Sequence, residues 1–183
     1  MFSDSYSLIQ RLLHWAIAIL VLALLAGGLL IGQFGFGGLK ETFGQSTTNL
    51  IYNLHKSFGV LVIALMLLRI LFRVLIGRPE YSEPLPVPTR IASEVAHGVL
   101  YLGLIAMPVL GWLATASSGF PVEFFSTKLP GLIGVDKSLG KTLFQWHEII
   151  GYVILGAVGM HIAGALFHWL ILKDRVMGRI SLV

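Results

Sequence analysis

The sequence contains no cysteine and few charged residues, and these two shortages exclude several classes of protein. Without cysteine, the chain cannot form disulfides, bind an iron–sulfur cluster or use a thiolate as a nucleophile or haem ligand. Charged residues make up only 12% of the 183 positions and hydrophobic residues 56%, with a mean hydropathy of +0.84. This composition lies outside the range of soluble domains and indicates an integral membrane protein with lipid around it.

The excess of positive charge does not indicate a nucleic-acid-binding protein. The net charge is +4, but the basic residues fall at the ends of apolar stretches and in the segments between them. Basic residues in these places set the orientation of a membrane protein. We therefore expect no nucleic-acid partner.

Four apolar stretches predict a single all-α domain over residues 1–183, built as a four-transmembrane-helix bundle. Each stretch is long enough to cross a hydrocarbon core of about 30 Å. The predicted helices cover about 8–31, 54–76, 91–116 and 143–172. Ser7 and Gln10 have the spacing of a capping box at the start of the first helix. The predicted loops cover 32–53, 77–90 and 117–144.

The distribution of basic residues predicts which side of the membrane holds the chain ends. Four crossings place both termini on the same side. Eight of the 13 basic residues would lie on that side and five on the other. Because cytoplasmic segments are enriched in lysine and arginine, we expect both termini in the cytoplasm.

Three histidines of the fourth predicted helix lie on nearly one stripe. His147, His161 and His168 are separated by 14 and 7 residues, which is about 3.9 and 1.9 helical turns. The first two are about 21 Å apart along the helix axis, most of the thickness of the apolar core. Ionisable groups inside a bilayer are costly and usually functional.

The other three histidines extend this pattern to two depths. His55 is expected at the same depth as His147, near the outer surface. The inner half then has four histidines to choose from: His14, His97, His161 and His168. Paired imidazoles on facing helices suit haem b, which takes one imidazole on each axial side. A carboxylate-bridged metal site would instead need two Glu-x-x-His motifs on facing helices, and the sequence has only one, at Glu94–His97.

The alternative role for some of these histidines is structural. His97 and His168 are expected near a membrane boundary, where polar side chains often serve as interfacial anchors. His161 lies among glycine, methionine, isoleucine and alanine. A histidine without a partner is hard to sustain there, and we interpret it as functional.

Two arginines near the inner end of the second predicted helix are candidates for binding an anionic group. Arg69 and Arg73 are spaced i, i+4 and share a helix face. They fit positive-inside anchoring and also bidentate binding of haem propionates. Lys56, next to His55, is a weaker candidate for attracting an anion on the outer side.

Short motifs around these residues resemble those of the bacterial cytochrome b561 family over nearly the whole chain. The motifs are RLLHW at 11–15, LHKSFG at 54–59, RILFR at 69–73, AHGVLY at 96–101, AMPVLGW at 106–112, WHE at 146–148 and GMHIAGALFHW at 159–169. Each motif alone is weakly specific, whereas their order along the chain is specific.

The resemblance implies a dihaem b-type cytochrome of the bacterial inner (plasma) membrane. It implies that His55 and His147 bind the outer haem and that His14 and His161 bind the inner haem. It also implies a quinone near the inner haem, within hydrogen-bonding reach of His168. The family includes superoxide oxidase, so the expected reaction passes electrons from superoxide outside to ubiquinone, without any further catalytic residue.

Two other functions remain open at this point. The chain is alternatively a cytochrome b subunit that passes electrons between the quinone pool and a partner oxidoreductase. A transporter that uses its histidines as proton relays is the other rival, although neither a broken helix nor an inverted repeat is visible in the sequence.

Overall fold

The computed structural model describes residues 5–79 and 86–182, and this part of the chain is mainly helical. Helix α1 is Leu8–Ile76, α2 is Val87–Ser117 and α3 is Lys137–Leu166. Strands β1 (Val122–Phe124) and β2 (Thr127–Leu129) form a small antiparallel hairpin between α2 and α3. A π-helical segment, Phe167–Leu172, and a 3-10 turn, Met177–Arg179, follow α3.

Three helical stretches of the described chain are long and apolar enough to cross a membrane. They are Leu8–Ile76, Val87–Ser117 and Lys137–Leu172. Many large apolar side chains on them are exposed, for example Leu102 and Val74, each 75% exposed. Apolar surface of this extent is suited to lipid, and the chain is an integral membrane protein.

Helix α1 is not one straight rod. Its 69 residues would span about 100 Å as a straight helix. Gly35 (φ 61°) and Gly44 (φ 80°) interrupt the helical backbone with positive φ angles, which glycine adopts without steric cost. Its two long arms, 8–34 and 45–76, lie side by side. Gln10, near the start of the first arm, donates a hydrogen bond to the carbonyl of Phe72, near the end of the second (3.4 Å).

The prediction of a loop at 32–53 is wrong, because this segment is helical except at Gly35 and Gly44. A glycine-rich sequence suggested an irregular loop, but only Gly35 and Gly44 have non-helical angles. Leu39 between them is fully buried. The hydroxyl of Thr48 also donates to the carbonyl of Gly44 (2.9 Å). Packing and local hydrogen bonds therefore extend the helix through most of the predicted loop.

The predicted capping box at the start of α1 is confirmed. The Ser7 backbone N–H donates to Oε1 of Gln10 at 3.2 Å. Nε2 of the same Gln10 side chain donates to the carbonyl of Gly77 at 3.0 Å. This buried glutamine thus caps one arm of α1 and joins it to the end of the other.

The other two helices begin earlier than predicted. Helix α2 begins at Val87 rather than near residue 91, with Pro86 as its N-cap residue and a proline in its first turn, where a missing N–H costs nothing. Helix α3 begins at Lys137 rather than near residue 143. Asp136 caps it by accepting hydrogen bonds from the backbone N–H groups of Ser138 (2.9 Å) and Leu139 (3.0 Å).

Three further predicted segments differ from the structure or lie partly outside it. The predicted loop at 117–144 contains the β-hairpin and the first residues of α3. The fourth predicted helix is π-helical, not α-helical, over its last six residues, Phe167–Leu172. Of the predicted loop at 77–90, residues 87–90 are helical and 80–85 lie outside the described residues.

The apolar core joins both arms of α1 to α3. Its buried residues are Ile17, Val21, Leu25, Val62, Met66 and Ile154. Partly buried side chains of α2, including Leu104 and Met107, pack against this cluster. The helices therefore surround one core, with candidate site residues on either side of it along the bundle.

The two ends of the bundle are chemically different. At one end, here called the terminal end, residues near both chain termini bind each other: Nη1 of Arg11 donates to the carbonyl of Ser181 (2.7 Å), and Nε1 of Trp15 donates to that of Ile180 (2.9 Å). At the other, the hairpin end, the β-hairpin is attached to α1. The backbone N–H of Phe125 donates there to the hydroxyl of Ser57 at 2.7 Å.

Candidate cofactor site

A pair of histidines faces each other at the hairpin end. His55 comes from the second arm of α1 and His147 from α3, and their ring centres are 6.2 Å apart. Both side chains are partly buried. The predicted outer pair is therefore brought together in the structure, with the rings too far apart for a direct hydrogen bond.

The ring of His147 is held by helix α2. Its Nδ1 lies 2.9 Å from the carbonyl oxygen of Met107. Since a carbonyl only accepts, Nδ1 is the protonated nitrogen and Nε2 presents its lone pair. Gly111 allows this approach, because a Cβ at that position would lie 2.9 Å from Cε1 of His147. The absence of a side chain at Gly111 thus makes room for the ring.

A large cleft opens beside this pair. Its volume is about 1300 Å³, and its walls include His55, His147, Lys56, Gly111 and Tyr152. A smaller cavity of about 50 Å³ lies beneath both imidazoles. Small-molecule sites typically occupy roughly 300–1,000 Å³, so the cleft has room for a large, mostly apolar ligand. Nδ1 of His55 is buried and has no hydrogen-bond partner among the described residues.

Three histidines meet at the terminal end. The ring centre of His161 on α3 lies 6.1 Å from that of His14 on α1 and 5.2 Å from that of His97 on α2. Nδ1 of His97 is bound to the carbonyl of Ser93 at 2.6 Å, so its Nε2 also presents a lone pair. The structure brings His14 and His161 together as the resemblance implied, and it adds His97 to the group.

The two predicted arginines flank this cluster and have tyrosines as partners. Nε of Arg69 donates to the hydroxyl of Tyr101 (3.1 Å), and Nη1 of Arg73 donates to that of Tyr6 (3.1 Å). Neither guanidinium forms an ion pair with a carboxylate in the described parts of the chain. Their positive charges remain available to an acidic group of a ligand.

His168 is separate from these pairs and has a carboxylate partner. It is buried, with 7% of its surface exposed, and its Nδ1 lies 2.5 Å from Oδ2 of Asp174. Burial alone would raise the pKa of Asp174, but hydrogen bonds from His168 and from the Val176 N–H outweigh it and lower that pKa overall. The sequence analysis missed Asp174, since a lone aspartate in a basic tail has no motif.

Lys56 is paired with a carboxylate and not free for an anion from solution. Its Nζ lies 2.7 Å from Oε2 of Glu123 and 3.2 Å from the carbonyl oxygen of Pro121. The hydrogen bond from Lys56 holds the pKa of Glu123 below its usual value. This pair attaches the β-hairpin at the mouth of the cleft.

Comparison with known proteins places the chain in a family. Residues 5–181 match the profile of the prokaryotic cytochrome b561 proteins. The chain belongs to the prokaryotic cytochrome b561 family. Its members include cytochrome b561 homolog 1 of Escherichia coli strain K12, which is 28% identical over 179 residues and 96% of each chain. A protein of Yersinia pestis named probable superoxide oxidase is 27% identical over 175 residues, 95% of this chain and 94% of that protein.

A third relative has a similar degree of identity. Cytochrome b562 of Cereibacter sphaeroides is 28% identical over 180 residues, 95% of this chain and 93% of that protein. Membership of the cytochrome b561 family makes the chain a membrane electron-transfer cytochrome, with b-type haem, lipid around it and redox partners.

The histidine pairs fit b-type haem. A metal ion between two imidazoles, about 2 Å from each nitrogen, would set the ring centres about 6 Å apart when each nitrogen lies about 1 Å from its ring centre. The observed separations are 6.2 Å and 6.1 Å. The described residues contain no cluster of three or more ligating side chains suited to a bare metal ion. At the hairpin end, the pair also lies beside a wide, mostly apolar cleft, which suits an iron porphyrin better than an isolated ion.

Proposed function

We propose that this cytochrome b561 protein binds two b haems and transfers electrons across the bacterial inner membrane to ubiquinone. One haem would lie at the hairpin end between His55 and His147, and the other at the terminal end between His14 and His161. The observation that carries the proposal is the presence of two imidazole pairs with ring centres 6.2 Å and 6.1 Å apart. Each pair takes one member from α1 and the other from α3.

The proposal includes four membrane crossings. The two arms of α1 are antiparallel, and 27 residues in 8–34 and 32 residues in 45–76 each exceed the roughly 20 residues needed to span a bilayer. Helices α2 and α3 supply the other two crossings. The larger number of basic residues at the terminal end supports placing both termini in the cytoplasm, which puts the hairpin end on the periplasmic side.

The choice of His14 as the partner of His161 is supported by distance. The ring centres of His97 and His161 are only 5.2 Å apart, less than the spacing of about 6 Å for two imidazoles on one metal. The hydrogen bond from His97 to the Ser93 carbonyl also holds its ring against its own helix. We assign His97 to the wall of the site rather than to the metal.

The side chains around the two pairs have supporting functions. Arg69 and Arg73 would bind the carboxylates of the inner haem, since guanidinium groups bind carboxylates through paired hydrogen bonds. The Met107 carbonyl orients His147 and increases its basicity as a ligand. At the hairpin end, a haem filling the mostly apolar cleft would keep water away from His55 and His147.

The proposed reaction is an outer-sphere transfer. Bound haem would supply a one-electron redox centre, held at each site by two histidines, so a substrate would exchange electrons with it without binding the metal. Superoxide is the proposed donor, because one relative is named a probable superoxide oxidase. Two superoxide ions would each lose one electron to give two O₂, while one ubiquinone gains two electrons and two protons to give ubiquinol.

A direct assay tests this function. Purified protein is mixed with enzymatically generated superoxide and ubiquinone, while haem absorbance and ubiquinol formation are recorded. We expect both haem reduction and ubiquinol to exceed a control without protein. Reduction no greater than in the control would refute the proposal. A partner oxidoreductase that co-purifies, together with a lack of stand-alone activity, would favour the alternative of an electron-transfer subunit.

Ligand variants test the two pairs separately. We expect His147→Ala and His161→Ala each to lose one of the two haems, measured as the haem-to-protein ratio and the reduced-minus-oxidised spectrum. The variant His168→Ala should keep both haems and slow quinone reduction, because His168 is proposed to bind the quinone. Loss of a haem from His168→Ala would contradict this assignment.

A further inference from the structure

The segment that follows α3 is built around His168. Residues Phe167–Leu172 form a π-helix, and Lys173 ends it in the left-handed conformation (φ 53°, ψ 33°). Single π-helical turns are rare in proteins, and those that occur are often at functional sites. A left-handed backbone at a non-glycine residue persists only when its surroundings hold it. The reversal at Lys173 brings Asp174 back to the ring of His168.

Three contacts fix the position of Asp174 beside His168. Oδ2 lies 2.5 Å from Nδ1 of His168, and Oδ1 accepts from the backbone N–H of Val176 at 3.0 Å. The Asp174 backbone N–H donates to the carbonyl of His168 at 3.2 Å. One residue thus binds both the ring and the backbone of the same histidine.

The exposure of the two partners differs. The His168 side chain is 9% exposed and that of Asp174 is 32% exposed. Within the described chain, the hydrogen bond of the His168 side chain is made by Nδ1, and none is made by Nε2. The ring therefore has a carboxylate on one nitrogen, and its other nitrogen is free.

We propose that Asp174 is the positioning residue that makes Nε2 of His168 the atom exchanging protons with the bound quinone. This inference rests on the proposed function, in which electrons pass to ubiquinone and His168 binds the quinone. The carboxylate accepts from Nδ1–H, fixes that tautomer and stabilises the positive charge on the ring whenever both nitrogens are protonated, as carboxylates paired with histidine do in enzymes.

Each ubiquinone takes up two protons through His168 in this proposal. The Nε2–H bond of the doubly protonated ring breaks and an O–H bond forms on the quinone, and Nε2 then takes a proton from water at the terminal end. Two such transfers supply the two protons of ubiquinol. The two electrons come from two one-electron donors, as in the proposed function. The Nδ1 proton stays with the ring throughout.

The variant Asp174→Asn, studied as the haem-loaded protein, tests the proposal. It keeps the size of the side chain and removes its charge. We expect the haem content and the rate of haem reduction by superoxide to equal the wild type, because Asp174 touches neither pair. Reoxidation of the haem by ubiquinone should slow about tenfold or more, with a larger effect on kcat than on KM and an increased solvent deuterium isotope effect.

Two further variants provide controls. Asp174→Glu, which keeps the charge, should restore a large part of the rate, whereas a purely structural role would not depend on charge. Glu94→Gln removes an exposed carboxylate of α2 and should behave as wild type. If wild type reduces ubiquinone and Asp174→Asn does so at the same rate and isotope effect, the inference is wrong. If wild type reduces no ubiquinone, the proposed function fails and the inference fails with it.

A measurement on the wild-type protein tests the proposal even if Asp174→Asn does not fold. Nitrogen-15 NMR of histidine-labelled protein, assigned with His168→Gln, should show Nδ1 of His168 protonated at neutral pH. A neutral ring with its proton on Nε2 alone would overturn the proposal, because Asp174 could not then accept from Nδ1.

Discussion

The clearance at Gly111 gives the sharpest test of how the hairpin-end pair is held. In Gly111→Ala, the new Cβ would lie 2.9 Å from Cε1 and 3.1 Å from Nδ1 of His147. Ordinary carbon contacts are about 3.5–4.0 Å, so the ring must move by about half an ångström or more. The atom nearest to the new methyl group belongs to the ring itself and not to a flexible chain end, so the site cannot easily absorb the change.

The size of the effect follows from this displacement. Overpacking a well-packed site costs about 1–3 kcal/mol, which corresponds to a roughly 5- to 150-fold change in an equilibrium constant. The movement also weakens the hydrogen bond from His147 to the Met107 carbonyl, and losing such a supporting contact typically lowers metal affinity about 10- to 100-fold. We expect Gly111→Ala to bind the hairpin-end haem at least about tenfold more weakly and the other haem normally.

The assay is a haem titration of the purified protein, with the haem-to-protein ratio and the reduced-minus-oxidised spectrum recorded at each step. Gly98→Ala is the matched control on the same helix, because a Cβ there meets nothing within 4 Å. It should keep both haems and unfold at the same or a slightly higher temperature, since alanine favours helix over glycine. If Gly111→Ala binds two haems with wild-type affinity and spectrum, the proposed position of the hairpin-end haem is wrong.

Three further predictions concern charge and capping. Arg69→Gln should lower the midpoint potential of one haem in a redox titration, because the lost positive charge stabilised the reduced state, while Arg78→Gln should leave both potentials unchanged. Unchanged potentials in Arg69→Gln would show that Arg69 only anchors the helix. Glu123 has a lowered pKa through Lys56, so its stabilising effect is present above the usual glutamate pKa and disappears as the pH falls through the lowered value. Thermal unfolding of Glu123→Gln should therefore differ from wild type at neutral pH and converge with it in acid, and equal curves at neutral pH would contradict this. Asp136→Ala should lose about 0.5–2 kcal/mol of unfolding free energy, as expected for an N-cap residue, measurable in a mild denaturing detergent; an unchanged curve would show that the cap adds nothing.

The helical class and the approximate helix centres could be predicted because apolar runs of about 20 residues are unambiguous. The segment at 32–53 could not, since glycine content is similar in loops and in helices broken at single points, and the burial of Leu39 depends on the fold. The early start of α3 had a local signal in Asp136, an N-cap residue just before Lys137, which the proline and apolar residues upstream obscured.

The candidate site was predictable to different extents at its two ends. At the hairpin end, histidine depth along the helices was enough to choose His55 and His147. At the terminal end, depth left four histidines, and the choice of His14 with His161 came from the family resemblance; their ring-centre distance supports this choice over His97. The pairing of His168 with Asp174 depends on a π-helical segment and a left-handed residue, and neither has a sequence pattern of its own.

Since α3 provides one histidine to each pair and α1 provides the other, the two helices together determine the distance between the pairs. One inserted residue between His147 and His161 would lengthen that interval by 1.5 Å and rotate one imidazole away from its partner by about 100°. Inserting seven residues would restore the facing directions but move one α3 histidine about 10 Å along the bundle from its partner on α1, so that pair would be lost. The distance between the two pairs can therefore change only when α3 and the facing arms of α1 change length together, by whole turns.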